Sequence, residues 1–197
     1  MASSRTSPAP GAAASISRPR VWAWPLAVLL GFPIGGGVAS LIVGPVDSVV
    51  AALIGGLIAG VVVGTAQWLA IRRVVSWAWI AATSLGMALG LPIGAALVDY
   101  GIGRVDLMVM GAVTGAAVGG LQAAVLARHH VSGAAWWAVV NPPTWALAWL
   151  VSSYVISANI DDRFTNFGAS GCLLFALVTG ALLEVLLRRT KPPAHLP

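Results

Sequence analysis

The chain has 197 residues, of which 58% are hydrophobic and only 9% charged. Soluble domains carry about 25% charged residues, so this composition excludes a soluble globular protein and points to an integral membrane one. The net charge of +5 is dispersed over segment ends, which argues against a nucleic-acid partner, and the lone Cys172 excludes an internal disulfide and a thiolate metal cluster.

Residues 1–20 are rich in Ser, Pro, Ala and Gly and carry Arg5, Arg18 and Arg20. They read as a disordered basic tail. The apolar run after them continues from Val21 to about Val43, too long for the core of a signal peptide. Six spans follow, at about 21–43, 47–71, 76–98, 105–127, 134–156 and 166–187, each near the roughly 20 residues that cross a bilayer. Residues 191–197 form a short tail. The transmembrane domain is expected over 21–190.

Loop charge orients these spans. Asp47, Asp99, Asp106, Asp161 and Asp162 fall near the odd-numbered connections, with only Arg104 and Arg163 among the basic residues. Arg5, Arg18, Arg20, Arg72, Arg73, Arg128, Arg188, Arg189 and Lys191 fall at the termini and even connections. The positive-inside rule places both termini in the cytoplasm, with the spans in the cell inner (plasma) membrane. Trp22, Trp24, Trp68, Trp77, Trp79, Trp136 and Trp137 lie at the ends assigned to the cytoplasmic face and are expected to form an interfacial belt.

The sequence repeats. Gly56, Gly60, Gly64 and Gln67 recur as Gly111, Gly115, Gly119 and Gln122, an offset of 55 residues. Trp22, Trp24, Gly31 and Gly35 match Trp77, Trp79, Gly86 and Gly90 at the same offset. Cys172, Ala176 and Gly180 keep the small-residue spacing of four in a third, worn copy. The copies cover about 21–73, 76–128 and 134–189. Each holds two spans, so all share one orientation, and their symmetry axis should run along the membrane normal. The expected fold is therefore all-α: three helical hairpins in a pseudo-threefold array, with the small faces of the second, fourth and sixth spans lining the centre. Residues four apart stack on one helix face. A small-residue strip lets another backbone approach closely, which drives packing in lipid, where apolar contact alone confers no advantage.

The segment Gln67-Trp68-Leu69-Ala70-Ile71-Arg72-Arg73, followed by Trp77, Trp79, Ser84, Gly86 and Gly90, resembles a family of uncharacterised bacterial multipass membrane proteins with repeated Gln-Trp-Leu-x-Leu-Arg-Arg segments. The resemblance implies a membrane fold. It carries over no catalytic residue. The second copy departs from the pattern, with Ala123-Ala124 after Gln122 and His129-His130 after Arg128.

Four intramembrane polar residues are candidates for function: Gln67, Gln122, Asn141 and Glu184. Gln67 and Gln122 sit inside the glycine face. They read first as interhelical hydrogen-bonding amides, and alternatively as a polar constriction on a central path. Glu184 lies four residues before Arg188, its natural ion-pair partner, near the interface; the alternative is a cation or proton site. Asn141-Pro142-Pro143-Thr144 is expected to break the fifth span, because each proline removes an intrahelical bond. Transporters use such breaks as binding sites, although prolines also serve as plain kinks. His129 and His130 point about 100° apart on a helix and make poor joint metal ligands. No nucleophile–base set or paired carboxylate stands out, so neither metal nor cofactor is expected and a lipid-modifying enzyme is disfavoured.

The leading expectation is a non-catalytic membrane protein with a glycine-zipper helix packing and a structural or assembly role. Its partners would be the bilayer and, beyond it, other membrane proteins or further copies of itself. The alternative is a small transporter or channel with a path lined by Gln67, Gln122, Asn141 and Glu184.

Overall fold

The computed structural model describes residues 22–155 and 169–190. The expected tails over 1–20 and 191–197, and the acidic connection with Asp161 and Asp162, lie outside the described residues. In lipid every backbone polar group must find its partner within the chain. A chain this apolar therefore folds into helices: α1 (Ala23–Val43), α2 (Val49–Ile71), α3 (Ala78–Leu97), α4 (Arg104–Arg128), α5 (Ala135–Val155) and α6 (Ala169–Arg189). The bounds lie within three residues of the spans read from sequence.

Local chemistry sets several of the ends. Gly44 stops α1 at φ +73°, a conformation open to glycine without strain, and its N–H donates to Ser40 O at 2.9 Å. The Ser48 hydroxyl accepts from Ala51 N at 3.2 Å and starts α2. The Asp106 carboxylate reaches back to Gly103 N at 3.0 Å and starts α4.

Five of these helices are long and apolar enough to cross a membrane. The exception is α5, which matches the others in length but holds Asn141, Pro142, Pro143, Thr144 and four tryptophans. Its backbone corrects one expectation. The Asn-Pro-Pro segment does not break the helix, which runs without interruption from Ala135 to Val155. The Asn141 amide group supports this turn by donating to Trp137 O at 2.7 Å, and the Thr144 hydroxyl donates to Val140 O at 2.7 Å. Side chains thus supply local bonds on either side of the two residues that lack an N–H.

Each helix packs against its neighbours in the chain, and α6 returns to α1, so the six close into a ring. Large aliphatic side chains face outward. Leu26, Leu30 and Ile34 of α1 and Leu85, Leu89 and Ile93 of α3 are all more than half exposed, at the spacing of one helix face. Water would drive such stripes together; a hydrocarbon surround accommodates them.

The glycines sit between helices. A Cβ on Gly60 would fall 2.5 Å from Ser84 Cα, and one on Gly56 would fall 2.6 Å from Met87 O, so α2 and α3 are in backbone contact. Gly86 and Gly90 of α3 lie as close to Val118 and Thr114 of α4. Gly111 and Gly115 of α4 accept Trp145 of α5, while Gly119 accepts Asn141. Gly64 faces Ile80 and Thr83. On α6, Cys172, Ala176 and Gly180 are buried, and the tightest approach to α5 is at the adjacent Gly171, against Ala148 and Ser152. The small faces therefore join neighbours around the ring. They do not pave its centre, as the sequence led us to expect; large side chains fill that space.

Candidate functional site

Three tryptophans from alternate helices meet in the interior. Trp24 of α1, Trp79 of α3 and Trp137 of α5 are each 0% exposed. Their ring centroids lie 5.7–6.0 Å apart at interplanar angles of 64–80°, an edge-to-face triangle. Edge-to-face pairs set the positive ring edge against the negative face, worth about 0.5–1.5 kcal/mol each beyond area burial. These helices do not touch one another through their backbones, so side chains span the centre of the ring, the three indoles among them.

Each indole N–H then needs an acceptor, since an unpaired buried donor is costly. Trp79 Nε1 donates to Gln67 Oε1 at 3.1 Å, Trp137 Nε1 donates to Gln122 Oε1 at 2.9 Å, and Trp24 Nε1 donates to Thr179 Oγ1 at 2.9 Å. The acceptors lie on α2, α4 and α6, one on each of the other three helices. Gln122 Nε2 donates onward to Gln67 Oε1 at 3.1 Å and to Thr83 Oγ1 at 2.8 Å, and Thr83 and Thr179 donate to the carbonyls of Trp79 and Phe175. The two glutamines that are 55 residues apart in sequence are thus directly bonded. Both are almost fully buried.

A second aromatic cluster lies beside the first. Phe32 of α1, Trp145 of α5 and Phe175 of α6 have centroids 5.3–5.5 Å apart, again edge to face. Beyond Phe32 and Trp145, toward the α1–α2 connection, is a cavity of about 40 Å³ that reaches Gly44 and Val46. None of Gln67, Gln122, Asn141 or Glu184 lines it.

The four sequence candidates therefore separate. Gln67 and Gln122 come together in one network. Asn141 is fully buried beside them in the chain fold, but its amide nitrogen is held by Trp137 O and its Cβ rests on Gly119, while its Oδ1 has no hydrogen-bond partner among the described residues. Glu184 stands apart. Its side chain is 39% exposed and paired with Arg188 at 2.6 Å, whereas the next residue inward, Leu183, is fully buried. His129 Nε2 sits 3.1 Å from Ser76 N, where it accepts a hydrogen bond and ties the α2–α3 connection to the end of α4. Ser132 N donates to Thr190 Oγ1 at 3.1 Å and ties the next connection to the end of α6 in the same way.

The expected tryptophan belt is corrected in part. Trp22, Trp77 and Trp136 are 57–71% exposed, as a belt requires, but Trp24, Trp79 and Trp137 are core. A signal for this was present. Residues two apart on a helix point about 200° apart and adjacent residues about 100° apart. The members of Trp22/Trp24, Trp77/Trp79 and Trp136/Trp137 therefore point in different directions and need not share one surround. Thr83 and Thr179 carried no comparable signal, since small hydroxyl residues are common in membrane helices.

No protein-family model, curated protein or solved structure matches the chain.

Proposed function

We propose that this chain is a non-catalytic, multipass protein of the bacterial inner membrane with a structural or assembly role. Its six spans are three copies of one hairpin about a pseudo-threefold axis, joined by a glycine zipper, with both termini in the cytoplasm. The observation that carries this reading is the Trp24–Trp79–Trp137 triangle. It fills the centre of the ring with aromatic carbon and turns each indole N–H to an acceptor on another helix. A conducting path would need polar groups presented to water along that axis. Here the glutamine oxygens and the Gln122 amide are committed to protein partners. The arrangement of donors supports internal symmetry in part, because Trp79 and Trp137 each donate to a glutamine of the preceding hairpin, whereas Trp24 donates to Thr179. Membership of the family with repeated Gln-Trp-Leu-x-Leu-Arg-Arg segments belongs to the same proposal. A rigid ring with apolar outer faces suits contact with other membrane proteins or with further copies of itself.

The test is water access. Single cysteines replace Gln67 and Gln122 in a Cys172→Ala background, with Asp47→Cys as an exposed control, and a membrane-impermeant thiol reagent is added to intact cells and to inverted vesicles. Protection of both interior positions from both sides, with Asp47→Cys labelled only in intact cells, is the expected outcome. Labelling of the interior positions would overturn the closed-core reading in favour of a transporter or channel. Labelling of Asp47→Cys only in inverted vesicles would reverse the orientation.

A further inference from the structure

The cavity between Phe32 and the α1–α2 connection has a chemical character of its own. Its walls include Phe32, Met87, Leu91, Trp145 and Trp149, and among the described residues no charged one contributes to them. At about 40 Å³ it has room for about three water-sized groups, at the roughly 10–15 Å³ each needs.

One hydroxyl in its wall is unaccounted for. Five threonines in the described residues, Thr65, Thr83, Thr144, Thr179 and Thr190, donate their hydroxyl to the carbonyl four residues back. Thr114 is the sixth, and it does not. It is 0% exposed, it lines the cavity, and its Oγ1 has no hydrogen-bond partner among the described residues. A buried hydroxyl without a partner is costly and uncommon. The Thr114 backbone cannot shift toward α3 to find one, because a Cβ on Gly90 would already fall 2.6 Å from Thr114 Cα. The other hydroxyl in the wall, Ser40 Oγ, is committed to Gly36 O at 2.9 Å.

We propose that this cavity binds a small neutral lipophile through a single alcohol or carbonyl oxygen hydrogen-bonded to Thr114 Oγ1, with its apolar body between the Phe32, Trp145 and Trp149 rings. The neutral wall rejects charged molecules, since an unpaired charge there would lose its hydration without compensation. The single hydroxyl separates alcohols and ketones from plain hydrocarbons of the same size. This site is independent of whether the axis conducts.

The experiment uses the full chain in lipid nanodiscs, titrated with 2-bromoethanol and, separately, bromoethane, both small heavy-atom quenchers of indole fluorescence. After correction for lipid partitioning, the alcohol should quench saturably, with an affinity about tenfold above that of the bromoalkane, the worth of roughly one hydrogen bond. Thr114→Val should bring the two affinities together, and Thr114→Ser should keep them apart. Ala39→Leu, which fills the cavity, should abolish the saturable component. Quenching that rises linearly with the partitioned quencher would overturn the proposal, as would a Thr114→Val protein that still prefers the alcohol. Thr114→Val keeps the packing volume and Thr114→Ser removes only one methyl group, so their comparison stands even if Ala39→Leu does not fold.

Discussion

Gly60→Ala offers a sharp test of how α2 and α3 are held together. The added Cβ would lie 2.5 Å from Ser84 Cα and 3.1 Å from both Ser84 N and Thr83 O. All three are backbone atoms, so no rotamer change relieves the overlap. Ordinary contact begins near 3.4 Å, and the two helices must part by about 1 Å. A gap of that size forfeits a quarter to a half of the dispersion attraction across the contact, and overpacking of this kind costs about 1–3 kcal/mol. Alanine is also the better helix former, by up to about 1 kcal/mol, which works in the opposite direction. Gly120→Ala separates the two effects, because nothing lies within 4 Å of a Cβ there. Both variants share the propensity gain and only one bears the clash. Unfolding of the purified protein by SDS titration in mixed micelles, followed by circular dichroism, should place Gly120→Ala at or above the wild type. Gly60→Ala should fall about 1–3 kcal/mol below Gly120→Ala. If the two variants unfold together within about 0.5 kcal/mol, the close backbone contact is refuted.

Two further outcomes follow from the interior and from the rim. Gln122→Leu removes three hydrogen bonds and strands the Trp137 N–H; it should cost about 1–3 kcal/mol in the same titration, and adding Trp137→Phe should cost less than the separate effects combined, because the stranded donor is then gone. Strict additivity in that double-mutant cycle would sink the network. Glu184→Gln should change stability by less than about 1 kcal/mol, since its pair with Arg188 is half exposed and the arginine more so; a loss above about 2 kcal/mol would place Glu184 in the core.

Some of this was legible in the chain. The spacing of apolar runs located the six helices to within three residues, because a bilayer sets a minimum length and charged residues mark the exits. The stripe Gly56, Gly60, Gly64, Gln67 already placed the glutamine on a helix-facing surface, where it meets Trp79. The pairing of Glu184 with Arg188 is also local, one turn along a single helix. Such features depend only on length, charge and helical periodicity, all of which a linear sequence contains.

Tertiary structure decided the rest. In water a buried helix face announces itself by being apolar; in lipid the outside is apolar too, so Leu26 facing outward and Trp24 facing inward are chemically alike on paper. Only the closing of α6 onto α1 sets the three indoles against one another and joins Trp24 to Thr179, 155 residues away. The packing of α1 to α5 leaves Thr114 facing a cavity, while the other described threonines turn back on their own helices. The double proline suggested a broken helix because its missing N–H groups are a local fact. That α5 stays helical depends on neighbours, including Gly119 and Gly115 of α4, which let Asn141 and Trp145 seat against their backbone. Helical periodicity fixes the angles between side chains on one helix, but the direction in which each face points is set by the helices packed around it.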